Sequence, residues 1–380
     1  MDNIIYLGGF ILPDMNAAAQ RVVSNAKLLE QLGYKVMMIG LIRDSASAGD
    51  FFYFKGFKCL NLPYPQSVKQ WYEYLFTIKW YKTYIDEMKP AMVIAYNHPA
   101  EALRKLMNYD RRHGIITLSD CTEWYEPNGN ALFKLVKGWD INQRMYKVHP
   151  MLDGIIVISK YLDDFYKEKG CKTLLLPPLV DMRDEKWNVP SDNNDKCIRL
   201  VYAGSTGKNK DRLDMIIRAL EKLSIKESIE ISFNVIGMTE DQYRITYQIA
   251  KDDPIPSYVC FLGRISHVEV IRQLKCSDFQ IFLRENNLAN TAGFPTKFAE
   301  SISAGVMVLT NHSSDLKEYL FDGENGFTLN ISNEQSLVES LRNPLTLSKK
   351  EIREKKMKID KNTFDYRNYI NKAKDFFQNI

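Results

Sequence analysis

NIIYLGGFILPDMNAAAQRVVSNAKLLEQLGYKVMMIGL, Asn3 to Leu41, decides the fold class. NIIYL is a short apolar run of strand length. Asn16 then stands as a helix cap before a segment whose apolar residues Val22, Val23, Ala26, Leu29 and Leu32 recur at helical spacing. Gly33 stops that helix, and KVMMIGL opens the next strand. A strand, a helix and a second strand predict a parallel sheet, because parallel neighbours need a crossover that a helix supplies.

The same alternation continues outward. AMVIAY (91–96), GIITLS (114–119), GIIVIS (154–159) and TLLLP (173–177) read as further strands. The pattern breaks in a polar, Asn/Asp-rich stretch with a proline, which reads as a linker over 183–196. A second series follows: IRLVYAG (198–204), IEISFNVIG (229–237), YVCFLG (258–263), DFQIFL (278–283) and VMVLTN (306–311), with helical segments between. The prediction is α/β throughout: a Rossmann-like doubly wound domain over 1–182, a second over 197–363, and a terminal helix over 364–380. In such sheets, ligands sit beyond the carboxyl ends of the strands. Two such domains facing each other make a deep cleft.

Composition sets the broad class. The 380 residues are 45% hydrophobic and 26% charged, an ordinary globular balance with ample core. A net charge of +4, with no dominating Lys/Arg block, argues against nucleic acid and suits anionic ligands or anionic lipid. Six scattered cysteines without a CxxC pair favour a reducing compartment. No signal peptide and no membrane-spanning run is visible, so a cytoplasmic location is expected.

The post-strand loops carry the candidate chemistry. Gly8 and Gly9 in GGF read either as a tight turn or as a backbone approach to a phosphate or sugar. GSTGKNKD (204–211) offers two glycines and two lysines just before a helix, a generic anion-binding start or a solvated turn. In GFPTKFAES (293–301), Pro295 suits the first helical position, leaving the N–H groups of Thr296, Lys297 and Phe298 free for an anion. Glu300 lies halfway round from Phe298 and Ile302, where a carboxylate accepts both ribose hydroxyls or is simply solvated. SDCTEWYEP (119–127) gathers Asp120, Glu123 and Trp124, suited to acid/base or sugar contacts or to an ordinary acidic loop. His98, which follows a strand, is the best histidine candidate; none shows metal-ligand spacing. SVKQWYEYLFTIKWYKTYIDEMKP (67–90) interleaves aromatics and lysines. It reads as an amphipathic helix on the sheet or as a face for a membrane surface or lipid acceptor.

Together these residues resemble the family-4 retaining glycosyltransferases of the GT-B fold. The match is strongest from Asp278 to Phe327, where Gly293, Phe294, Glu300 and Gly305 fit the family's motif. The resemblance implies an enzyme moving a sugar from a nucleoside diphosphate-sugar, its co-substrate, to a saccharide or lipid-linked acceptor, as in bacterial capsule or O-antigen synthesis. It implies further that Glu300 binds ribose and the amides of Thr296 to Phe298 hold the diphosphate. Lys210, with Lys208 beside it, neutralises the leaving phosphates; Gly263 and Arg264 flank the base; Gly8 and Gly9 approach the donor. The final helix crosses back to the first domain, the acceptor domain, where Asp120 and Glu123 are the expected catalytic carboxylates, alongside Lys210 and Glu300, and His98 and Trp124 lie on the acceptor side. Three positions depart from the pattern. Ala292 stands where the family has its first glutamate; either Glu285, Asn287 or Asn290 touches the donor sugar instead, or the donor differs. Ser205 replaces a frequent arginine, and Ser119 with Asp120 replaces a histidine. No metal or other cofactor is expected, since no DxD-type set ends a strand near the phosphates. A sugar-nucleotide epimerase or a non-catalytic nucleotide-sugar binder are the rival readings.

Overall fold

The computed structural model describes residues 2–13, 16–44, 48–125, 131–190, 197–204 and 211–380. The chain divides into two compact units: Met1–Val180 with Ala292–Phe294 and Asp365–Ile380, and Asp181–Thr291 with Pro295–Phe364.

Among the described residues, unit 1 carries an eight-stranded sheet: β1 Asn3–Gly8, β2 Lys35–Ile42, β3 Phe51–Phe54, β4 Phe57–Pro63, β5 Met92–Tyr96, β6 Ile116–Cys121, β7 Gly154–Val157 and β8 Thr173–Leu175. Their spatial order is β3-β4-β2-β1-β5-β6-β7-β8, parallel except for β3 against β4. Central β1 pairs with β2 (Ile4 opposite Val36) and with β5 (Ile4 opposite Met92). Successive β1 residues face opposite sides of the sheet. Ile4 and Tyr6 therefore join a core layer with Val22, Ala26 and Leu29 of the helix Ala17–Gln31, while Ile5 and Leu7 join the layer containing Leu103 and Leu106. The Asn16 side chain caps that first helix by accepting from the Ala19 N–H, 2.8 Å. The chain end packs here too: Gly154 leaves room for the Phe376 ring, and Lys172 Nζ donates to the Asn379 carbonyl, 2.6 Å.

Unit 2 carries six parallel strands among its described residues: β9 Ile198–Ala203, β10 Ile231–Ile236, β11 Val259–Gly263, β12 Phe279–Ile281, β13 Met307–Thr310 and β14 Gly326–Thr328, in the order β11-β10-β9-β12-β13-β14. These strands are mostly apolar on both faces, as a sheet covered by helices on both sides requires.

Two features differ from the sequence reading. FFYFKGFKCLNLP, not among the strands expected, forms the β3–β4 hairpin, whose turn residues Lys55 and Gly56 both take positive φ. In the stretch expected as linker, Glu185–Asn188 forms a short helical turn with Trp187 buried; the indole donates to the Asp181 carbonyl, 2.8 Å.

Candidate functional site

In a doubly wound sheet, the strand order reverses at one point, and the crevice there opens beyond the strands' carboxyl ends. In unit 2 that point lies between β9 and β12, at Gly204 and at Phe282 to Arg284. The helix Thr296–Ala304 starts beside it. Phe298, Ala299 and Ile302 are buried, and Gly305, at φ 71°, ends the helix in the left-handed conformation its missing Cβ permits. Pro295 is one residue before the first helical turn rather than in it, and no side chain caps the helix start. The Phe298 N–H donates to the Pro295 carbonyl, 2.9 Å, so it is not the free anion donor expected of it.

The Lys297 side chain runs back to the strand ends. Its ammonium pairs with the buried Asp211 carboxylate, lies 3.2 Å from the Tyr202 hydroxyl, and stands over the Tyr202 ring at 4.3 Å from the centroid. Tyr202 also donates to Asp211, 2.6 Å. Burial would raise the Asp211 carboxyl, but the charges of Lys297 and Arg284 outweigh it and hold it below the ordinary range.

One turn on, Glu300 Oε1 lies 2.9 Å from His267 Nε2. Burial acts to raise the Glu300 carboxyl; the hydrogen bond and charge of His267, with Lys186 and Lys297, outweigh it and keep it low. A charge-held carboxylate is an acceptor only, which suits hydroxyl recognition. His267 opens the helix His267–Cys276, and nothing in its spacing marks it as Glu300's partner.

The other expected residues fall as follows. Gly263 takes φ 61°; its N–H donates to the Met238 carbonyl, 3.2 Å, and its own carbonyl accepts from Gly237, 2.7 Å, while Arg264 next to it is exposed. Glu285 is approached by Arg212, 3.4 Å. Asn290 is buried and donates from its amide to the Glu285 carbonyl, 2.8 Å. It clips its own loop through that bond. Gly293 and Phe294 group with unit 1, and Phe294 is buried. Ser205, Lys208 and Lys210 lie outside the described residues.

In unit 1 the order reverses between β1 and β5. Gly8 is needed there for close packing: a Cβ on it would lie 2.5 Å from the Tyr96 carbonyl oxygen, whereas the nearest atom to a Cβ on Gly9 is 3.9 Å away. Asp120 is fully buried, bridged by Arg21 (2.8 and 3.0 Å), and accepts from Tyr6, 2.5 Å. With no exposure and its oxygens engaged, it organises the core, which corrects its expected catalytic role. Trp124 is likewise packed, edge-on to Tyr146, Tyr161 and Phe165, and is no open sugar platform. His98 is buried edge-on to Tyr74 and Tyr81; burial first, then the charge of Arg144, pushes it down to about 3, so it is neutral and inward. Glu123 alone of this acceptor set stays partly exposed.

A cavity of about 650 Å³ lies at the other, amino-terminal end of β1 and β2, lined by residues including Asn3, Lys35, Phe51, Tyr53 and Tyr84; none of the expected residues lines it.

Residues 183–364 match the family Glycosyl transferases group 1. That span takes in nearly all of unit 2, including Gly204, Asp211, His267, Lys297 and Glu300. Solved structures extend the likeness to the whole chain. Sucrose-phosphate synthase from Thermosynechococcus elongatus superposes with a TM-score of 0.69 at 12% identity, covering 100% of this chain and 98% of its own. Anabaena Alr3699/HepE, in complex with UDP and glucose, gives 0.70 at 12% identity and 100% of both chains. WaaG, a glycosyltransferase involved in lipopolysaccharide biosynthesis, gives 0.66 at 14% identity and 98% of both. The fold is GT-B. No curated protein matches the chain by sequence.

Proposed function

We propose that the protein is a retaining, metal-independent glycosyltransferase. It moves a hexosyl-type sugar from a nucleoside diphosphate-sugar to a hydroxyl of a saccharide or glycolipid acceptor, in cell-surface polysaccharide synthesis. The observation that carries this reading is the grouping, at the switch point of the unit 2 sheet, of an uncapped helix start, the Lys297 ammonium and the charge-held carboxylate of Glu300. The family match over 183–364 and the UDP and glucose named with the HepE structure support it.

In this reading the helix start and lysines face the diphosphate, and Glu300 accepts the ribose hydroxyls. Transfer breaks the bond between the sugar's anomeric carbon and the phosphate oxygen, which leaves with the electron pair. The acceptor oxygen bonds to the same face and gives up its proton to the departing phosphate oxygen. Cations and amide dipoles near the departing phosphate stabilise the developing charge, with Lys210 taking part. The enzyme works from the cytoplasmic side, peripherally at the membrane. Val68 and Tyr72 of the helix Val68–Phe76, exposed by 88% and 59%, support that contact. No helix among the described residues is long and apolar enough to cross a membrane.

The test is a thermal-shift and mass-spectrometry screen against UDP-, GDP-, ADP- and dTDP-sugars, with and without saccharide acceptors and EDTA. Transfer that survives EDTA and keeps the anomeric configuration supports the proposal. Conversion of the sugar nucleotide without acceptor indicates an epimerase. Binding without turnover indicates a binder, and loss of turnover in EDTA ends the metal-free reading.

A further inference from the structure

We propose that the Lys297 side chain is the donor diphosphate's exchangeable counter-ion, paired with Asp211 and passed to the diphosphate on binding. This rests on the nucleotide-sugar reading of the site. It goes further in making the Lys297 ion pair exchangeable and in giving Asp211 a role.

The placement comes first. The ammonium stands between the two strands that flank the switch point, 4.3 Å from the Tyr202 ring centroid on β9 and 5.2 Å from that of Phe282 just after β12. It fills the space above Gly204: a Cβ there would lie 2.7 Å from Nζ and 3.0 Å from Cε. Gly204 therefore leaves room for the lysine, and a side chain in its place would make the ammonium shift. Lys297 also lies in the uncapped first turn of its helix, so its charge adds to the positive end of the helix dipole. Ser205, next along the chain, is where the family resemblance expects an arginine. Lys297 brings a cation to the same strand end from another element.

Asp211 makes the cation exchangeable rather than permanently locked. Its Oδ2 takes both Lys297 and Tyr202, while its Oδ1 has no hydrogen-bond partner among the described residues. A buried carboxylate deprived of its only cation would be strongly destabilised. Asp211 is not so deprived, because the Arg284 charge also acts on it and the Tyr202 hydroxyl stays bonded. Lys297 can therefore leave on its flexible four-carbon stem, and a diphosphate carrying more charge than one carboxylate competes well for it.

The experiment titrates the full-length protein calorimetrically with paired UDP/UMP, GDP/GMP and ADP/AMP, using wild type, Lys297→Met, Asp211→Asn and the double variant. Lys297→Met should lower diphosphate affinity about tenfold or more and monophosphate affinity far less, collapsing the diphosphate preference. Asp211→Asn should bind the diphosphate at least as tightly as wild type, because the competing carboxylate is gone. The double variant carries neither buried charge, so it tests the lysine even if Lys297→Met folds poorly; it should behave as Lys297→Met. An unchanged diphosphate preference without Lys297 overturns the proposal. So does an equal loss in Asp211→Asn, which would make the pair purely structural. Wild type that binds none of the six nucleotides overturns the nucleotide-sugar reading and this inference together, a result distinct from the other two.

Discussion

Asp120→Ala separates a structural carboxylate from a catalytic one. The substitution strips Arg21 of its 2.8 and 3.0 Å contacts and removes the acceptor for the 2.5 Å Tyr6 bond. Arg21 keeps the Leu176 carbonyl, 2.9 Å, but that group carries no charge to balance the guanidinium, which is only 3% exposed. Removing one partner of a buried ion pair costs about 3–5 kcal/mol, most of it the penalty on the charge left behind. For a unit of this size, each kcal/mol moves the melting transition by about 2–4 °C, so the unit 1 transition should fall by roughly 6–20 °C. Asp120→Asn, which keeps volume and some hydrogen bonding, should fall less. The double change Arg21→Met/Asp120→Leu should recover more than half of the loss, because an apolar pair leaves no orphaned charge. Urea unfolding and differential scanning calorimetry read all four proteins without any knowledge of the substrate. A shift below about 1 kcal/mol in Asp120→Ala would refute the reasoning, and loss of turnover at unchanged stability would return Asp120 to a catalytic role.

Gly8→Ala should destabilise unit 1 by about 2–3 kcal/mol, since its Cβ meets Tyr96 backbone that cannot swing aside; an unchanged urea midpoint would contradict this. His98 is pushed down to about 3 from an ordinary 6.5, so the native state binds the proton more weakly than the unfolded chain does. Its contribution is present above pH 6.5 and is lost as pH falls toward 3, and His98→Phe should flatten that part of a stability-against-pH profile. Asp110 works in the opposite sense: burial raises it to about 7, so its contribution is full below pH 3.8 and is lost as pH rises to about 7. Asp110→Asn should flatten the same profile between those values. Under the proposed function, Glu300→Ala should abolish discrimination between ribose and 2′-deoxyribose forms of the bound nucleotide in competition titrations, with His267→Ala having a smaller effect.

Much of the architecture is written along the chain. Strand-length apolar runs alternating with helical periodicity identify a parallel sheet because each strand is buried on both faces and each crossover must be amphipathic. β1, β5, β9 and β13 are legible this way, as are the Asn16 cap and the Gly305 stop. The short β14 and the β3–β4 hairpin are not, because GFT is too short and too mixed to show a period and the aromatic edge strand β3 runs into β4 with only Lys55 and Gly56 between them. At the site, local chemistry pointed to the bare start at Thr296 and to Glu300. It could not show that His267, 33 residues earlier, is Glu300's partner, nor that Asp120, His98 and Trp124 turn inward.

Those outcomes depend on side-chain direction and on contacts between residues distant in the sequence. Asp120 meets Arg21 from 99 residues away, and Lys297 meets Asp211 from 86. The sequence by itself determined the periodicities, the helix stops and the residue types available at strand ends, because these are local properties of the backbone and of hydrophobic burial. Only the tertiary structure decided which carboxylates are buried with a cation and which lysine reaches the switch point, because burial and pairing arise when the strands pack side by side.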